Sequence, residues 1–487
     1  MLHTRAMDIL FVATELSPLA KVGGLADVVA ALSKALRQLG HKVTLAMPRF
    51  PRLERGGLLV ARRLTPLIFP MGQQQMEVTV YDGRLGSGVE LLLFDAPGLY
   101  DREGVYGEGG EDYPDNARRF AVFSRAAAEL VRQRALAGAP FDIVHAHDWP
   151  AALVPVYLRE MEGAAGAKPT PVVLTIHNLA HQGLFGRETL GSIGLAENLF
   201  VPDKLEFYGQ VNFLKGGLVA ASKLTTVSPT YAREIQTRER GHGLEGVLAM
   251  RSKDLVGITN GIDYATFNPA TDTALVARYD AEDPSNKERC KTAALHEVGL
   301  SISNGGPLIL HVGRMVPQKG TDLVIGLLPK LVFAGATVVM AGDGDPELVE
   351  RATDATEALP QQARFVRAAA EATVHRLFAG ADIVLVPSRF EPCGLVQLYG
   401  QRYGALPVAH ATGGLSDTIV DSDAALETGT GFLFREPDID HLLGAAQRAI
   451  AAHASPRWAS LRRRVMRLDL GWDRPARRYD QIYRSLL

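Results

Sequence analysis

The chain has 487 residues, 47% of them apolar, and a formal net charge of −2 at pH 7. This length is too great for one ordinary core and predicts two or three domains, and so balanced a charge excludes a generic polyanion binder. Two cysteines, Cys290 and Cys393, imply no disulfide framework; with no apolar run near the roughly 18–20 residues of a membrane span or the pattern of a signal peptide, a cytoplasmic protein with neither nucleic-acid nor membrane partners is expected.

In chain order, "DILFVAT" from Asp8 reads as a buried strand, and "KVGGLADVVAALSKALRQLG" from Lys21 as a turn and a helix. Val28, Val29, Leu32, Leu36 and Leu39 recur at three- and four-residue spacing, so one helix face is apolar. Asp27 falls in the first turn, where a carboxylate complements the helix dipole, and Gly40 is a natural stop. A cation and two glycines between strand and helix suit either a plain turn or an anion receptacle built from bare amides, a helix N-terminus and an ammonium. The glycine spacing is neither that of a Walker loop nor that of the dinucleotide fingerprint.

"HKVTLAMP" and "VELLLFDAP" are the next strands, followed by a helix over 117–136 with Asp115 and Asn116 as capping candidates. "FDIVHAHDW" ends a strand with His145, His147 and Asp148, and "PVVLTIHNLAHQG" ends another with His177 and His181. Neither histidine pair finds further metal ligands at suitable spacing, so hydrogen-bonding roles are expected and no metal is predicted. "KLTTVSP" closes the first half. The Asn260-Gly261 turn marks the break, with domains predicted over 1–258 and 259–467.

The second half repeats the alternation in "PLILHVG", "ATVVMAGDG", "ARFVRA", "ADIVLVPS" and "LPVAHAT". Near-continuous apolar strands separated by amphipathic helices predict an α/β protein with parallel sheets covered on both faces. Arg314 and Lys319 follow a strand in "HVGRMVPQKG", placed either as ordinary surface cations or to clamp a diphosphate. "EPCGL" puts Glu391 beside a helix start, as a capping acid or a sugar contact. Gly-Gly-Leu-small-Asp occurs twice, at Gly23–Asp27 and at Gly413–Asp417. In open α/β sheets ligands bind beyond the carboxyl ends of the strands.

Taken in order, "KVGGLADV", "YGEGGEDYPDNARRFAVFS", "HAHDW", "TIHNLAHQG", "TTVSPTYAREI", "NGID", "HVGRMVPQKG", "PSRFEPCGL" and "TGGLSDTI" resemble the bacterial glycogen synthase and starch synthase family of retaining glycosyltransferases, over more than 400 of the 487 residues. The resemblance implies two Rossmann-like domains facing across a cleft (the GT-B arrangement) and a C-terminal helix, 468–487, crossing back to the first domain. It implies glucose transfer from a nucleotide diphosphate donor, ADP-glucose being favoured over UDP-glucose, to an α-1,4-glucan, with no metal or cofactor.

Position by position, it implies that Lys21, Gly23 and Gly24 lie on the donor's phosphate side and Asn260 lines the cleft. Arg314 and Lys319 match the diphosphate clamp, and are expected to carry most of the catalytic electrostatics. His177 matches the histidine beside the transferred sugar, and Asp148 the acid near the acceptor. Glu391 and Cys393 match sugar-contacting positions, with Gly394 and Leu395 as backbone donors. Val396 departs from the family, which has Thr there, so a hydroxyl contact to phosphate is missing. A transferase with another acceptor, a non-catalytic binding relative prompted by Val396, and a pyridoxal-dependent phosphorylase remain as alternatives. Oligomeric state is left open.

Overall fold

A computed structural model describes residues 5–163, 170–301 and 305–487, the side chains of 162 and 163 excepted. The chain divides into two compact units. The first comprises 1–227, 232–258 and 472–487, and the second 228–231 and 259–471.

The first unit is built on a ten-stranded sheet. Its parallel part runs, in spatial order, Leu255–Gly257, Lys223–Thr226, Val172–Ile176, Ile143–His147, Asp8–Val12, Lys42–Pro48 and Glu90–Asp95. Beyond it, Gln74–Arg84 pairs antiparallel with Glu90–Asp95 and carries Val60–Arg62 and Leu67–Met71. Asp8–Val12 is fully buried from Ile9 onward, as a two-faced strand should be. The helix Gly24–Gln38 buries Val28, Val29, Leu32 and Leu36 at the expected spacing; Gly40 follows at φ 94°, a conformation that glycine adopts without strain. Each fully buried leucine contributes about 2–3 kcal/mol of transfer free energy.

The helix over Asn116–Leu136 forms as the apolar periodicity predicts, but its capping differs. Asp115 makes no side-chain cap because both its oxygens accept from Arg102, at 2.6 and 2.7 Å. Asn116 instead donates to the Tyr106 carbonyl and accepts from the fully buried Arg119. A helix at Asp473–Arg484 belongs to this unit and packs against Gly24–Gln38.

The second unit holds a six-stranded sheet ordered Ala363–Arg367, Thr337–Gly342, Leu308–Val312, Ile383–Val386, Leu406–His410, Phe432–Phe434, every pairing parallel. Its inner strands are largely apolar on both faces because alternate residues serve two cores. Ile309, Val338, Met340, Ile383 and Leu385 pack with helices Thr321–Phe333 and Ile439–His453. Leu308, Leu310, Val339, Val384 and Val386 pack on the other side with Lys287–Glu297 and Glu371–Gly380.

Each sheet has one point where the strand order reverses. Asp8–Val12 lies between Lys42–Pro48 and Ile143–His147, and Leu308–Val312 between Thr337–Gly342 and Ile383–Val386. The loops leaving the carboxyl ends of these strands are where an open α/β sheet offers a ligand crevice. Among the described residues, no helix is long and apolar enough to cross a membrane.

Candidate active site

In the first unit, the loop after Asp8–Val12 contains Thr14 and Glu15. Glu15 is buried, and its Oε2 accepts hydrogen bonds from the amides of Val22 and Gly23, at 2.9 and 2.8 Å. Its Oε1 accepts from the Tyr106 hydroxyl at 2.8 Å. Burial raises the Glu15 pKa, against the three hydrogen bonds that favour its charged form. The Lys21-Val22-Gly23-Gly24 turn does cradle an anionic group, but two of its amides are not bare: an internal carboxylate fills them. Lys21 is exposed and its Nζ lies 2.8 Å from Asp27. Gly24 is exposed as the first helical residue. Nothing in the local spacing singles out Glu15, because its partners are backbone amides seven and eight residues away.

The strands Ile143–His147 and Val172–Ile176 deliver a second cluster. The Asp148 backbone is left-handed, at φ 55°, which turns its carboxylate back so that Oδ1 accepts the His177 amide at 2.7 Å. Burial lifts the Asp148 carboxyl to about 7; the His177 and Asn178 amides oppose the rise and the Glu15 charge adds to it. His177 Nε2 lies 3.0 Å from His147 Nδ1. The His147 and His145 ring centroids are 4.1 Å apart, and His145 reaches the Tyr483 hydroxyl at 2.7 Å and Thr175 Oγ1 at 2.6 Å. Burial pushes His177 down to about 3 and holds His145 and His147 well below the ordinary imidazole value, so all three rings are neutral. His181 is exposed. Trp149 is half-buried among Tyr106, Phe120, Phe185 and Phe213.

In the second unit, Arg314 follows Leu308–Val312, is exposed, and pairs with no carboxylate among the described residues. The short helix Pro317–Lys319 ends at Gly320, whose φ of 68° and close approach to the Pro387 carbonyl fit only glycine: a Cβ would lie 2.2 Å from that oxygen. This turn aims Lys319 Nζ at Glu391 Oε2, 2.6 Å away, and Ser388 Oγ donates to the same oxygen at 2.8 Å. Glu391 is buried and is therefore an ion-pair partner here, not a helix cap. Arg389 stitches the two loops together through its amide to the Gln318 carbonyl and its guanidinium to both oxygens of Asp322.

Cys393 is buried next to Asn260, and burial pushes its thiol up to about 12, so it is a neutral hydrogen-bonding group, not a nucleophile. Asn260 is buried with its Oδ1 unpartnered. A buried acceptor left open is a position for a ligand donor. Gly394 has φ 75°, and Gln397 folds back to the carbonyls of Cys393 and Gly394. Leu395 is the N-cap residue and Val396 the first residue of the helix Val396–Arg402, both half-buried. The second Gly-Gly-Leu opens the helix Gly413–Thr418, and its glycines allow close packing: a Cβ on Gly413 would lie 2.0 Å from the Glu391 carbonyl, and one on Gly414 2.3 Å from that of Cys393.

The family model of the starch synthase catalytic domain matches residues 8–250, and that of group 1 glycosyl transferases matches 296–460. A glycogen synthase from an Anaeromyxobacter species is 44% identical over 485 residues, covering 99% of both chains. The glycogen synthase of Marinobacter nauticus is 42% identical over 487 residues, covering 98% of both. The catalytic domain of starch synthase IV from Arabidopsis thaliana, solved with ADP and acarbose, is 32% identical over 99% of each chain, with a TM-score of 0.92. Sucrose-phosphate synthase from Thermosynechococcus elongatus, at 19% identity and a TM-score of 0.60, shares the fold.

Proposed function

The chain belongs to the glycogen synthase and starch synthase family, and we propose that it transfers glucose from ADP-glucose to the non-reducing 4-hydroxyl of an α-1,4-glucan with retention of configuration. The observation that carries this reading is the placement of Arg314 and Lys319 after the carboxyl end of Leu308–Val312, with Lys319 fixed by Glu391.

The reaction breaks the bond between the anomeric carbon and the diphosphate oxygen. Negative charge grows on the leaving diphosphate, and fixed cations that neutralise it lower the barrier. Arg314 grips it through a planar fork, and Lys319 acts as a point charge whose direction the Glu391 contact sets. Retention follows from attack on the same face, with a leaving phosphate oxygen taking the proton of the incoming hydroxyl. Glu391 Oε2 is engaged, whereas Oε1 makes no hydrogen bond among the described residues and is assigned to accept from a hexose hydroxyl. Asn260 Oδ1 is assigned as a second acceptor, and Cys393, Gly394, Leu395 and Val396 as the wall and amides around donor and sugar. Lys21, Gly23 and Gly24 are assigned to the donor's phosphate side, where Lys21 would exchange Asp27 for phosphate. His177 is assigned to the side of the transferred glucosyl group, and Asp148 to that of the acceptor. No metal is invoked. Localisation is proposed to be cytoplasmic.

The test is incubation of the protein with labelled ADP-glucose or UDP-glucose and glycogen, without added metal. Polymer-bound label from ADP-glucose is expected. Faster incorporation from UDP-glucose would reassign the donor, and none from either would leave the non-catalytic reading prompted by Val396.

A further inference from the structure

We infer that His147 is a positioning residue: it occupies His177 Nε2, donates its own Nδ1–H to that atom, and so locks His177 as the Nδ1–H tautomer, leaving His177 a hydrogen-bond donor toward the glucosyl group and not a base. The inference rests on the placement of His177 beside the donor sugar under the proposed function, and concerns a residue that contacts no substrate itself.

The geometry leaves one proton to place in the His147–His177 contact, where two ring nitrogens lie 3.0 Å apart. Both rings are neutral, so one nitrogen donates and the other accepts. His147 is fully buried and its Nε2 has no partner among the described residues. If the His147 proton sat on Nε2, an N–H would be buried without an acceptor. If it sits on Nδ1, only a lone pair is left unpaired. Orphaned buried N–H groups are rarer than under-used acceptors, so the second arrangement is favoured. His177 Nε2 is then an acceptor, and its one proton is on Nδ1.

His147 cannot swing to another arrangement. Its ring lies tilted by 33° against His145, with centroids 4.1 Å apart; His145 is held by Tyr483 and Thr175, and the His147 ring also abuts Phe11 at 5.0 Å. The His177 backbone is separately held by Asp148, so both the backbone position and the ring edge of His177 are set from inside this unit. A ring nitrogen that offers a proton recognises a hydroxyl or ring oxygen of the sugar. It cannot accept the proton of the incoming hydroxyl, which leaves that task to the departing phosphate.

The direct test is a long-range nitrogen–proton correlation spectrum of the full chain carrying 15N-labelled histidine, with the His177 signals assigned from a His177→Asn variant. The Nδ1–H pattern is expected for His177 in the unsubstituted protein; an Nε2–H pattern overturns the inference whether or not the protein proves to transfer glucose. In parallel, H147A should redistribute the His177 tautomers and lower kcat/KM about tenfold, the scale of one positioned hydrogen bond. H147N, whose amide N–H can take the place of Nδ1–H, should restore the tautomer and bring kcat/KM to within about threefold of the parent. If H147A leaves the His177 spectrum unchanged, His147 does not set the tautomer and the proposal fails.

Discussion

Lys319 Nζ and Glu391 Oε2 stand 2.6 Å apart, with Ser388 donating to the same carboxylate oxygen. Lys319→Ala therefore does two things at once. Under the proposed function it removes a cation from the leaving group, which should lower kcat by about 10²–10³. It also leaves Glu391 buried without its charge partner, which should cost about 1–3 kcal/mol of stability, less than a fully buried pair because Lys319 is partly solvated. The two effects separate in the double variant Lys319→Met with Glu391→Gln. Thermal unfolding should return toward that of the parent while turnover stays low. Recovery of turnover along with stability would show that Lys319 acts only structurally.

Asp148 gives a pH signature. Burial lifts its carboxyl to about 7, above the roughly 4 expected in an unfolded chain. An acid with a raised pKa in the fold favours the fold in its protonated form, so this contribution is complete below about pH 4 and is lost as pH rises through 7. Asp148→Asn keeps the acceptor for the His177 amide and tolerates the left-handed backbone. The variant should gain stability relative to the parent between pH 5 and about 8. Parallel melting-temperature curves for the two proteins across that range would contradict this account.

Val396 begins its helix beside Gly394 and Leu395, and under the proposed function a hydroxyl there would meet a phosphate oxygen. Val396→Thr adds the hydroxyl with little change of shape. It should tighten ADP binding by about 0.5–1.5 kcal/mol, or roughly two- to tenfold in Kd by calorimetry. An unaltered Kd would place the residue outside the phosphate contacts.

Gly414→Ala would set a Cβ 2.3 Å from the Cys393 carbonyl, a clash with backbone that no rotamer relieves. The Glu391–Cys393 segment must shift, and the Lys319 contact with it. A loss of stability of about 1–3 kcal/mol is expected, as for overpacking, with a rise in donor KM. Ala at Gly444, inside the helix Ile439–His453 with nothing within 4 Å, is the control and should leave donor KM unchanged and stability equal or slightly raised. Equal behaviour of the two variants would remove the proposed coupling.

The parallel strands were legible because a strand buried on both faces is apolar at nearly every position: Ile383–Val386 is so throughout, and Leu308–Val312 is except for His311. The antiparallel pair Leu67–Met71 and Gln74–Arg84 was not foreseen. Gln74–Arg84 is largely polar, with Gln74, Gln75 and Glu77 exposed, and the apolar Leu67–Met71 contains Pro70, a residue that weakens a strand signal. The cations at strand ends were visible, since Arg314 and Lys319 interrupt apolar sequence. Their partners were less visible: Glu15 answers amides through space, and Glu391 meets a lysine 72 residues away. The Gly-Gly-Leu repeat was visible in the sequence, but not that at Gly413 and Gly414 the glycines let two loops touch.

The segment Trp472–Leu487 belongs to the first unit, with Tyr483 bonded to His145 and its helix against Gly24–Gln38. During synthesis this segment leaves the ribosome only after the entire second unit. The amino-terminal half, although translated first, therefore waits with the binding face for that helix uncovered and His145 short of its tyrosine. The portion begun earliest is the portion finished latest.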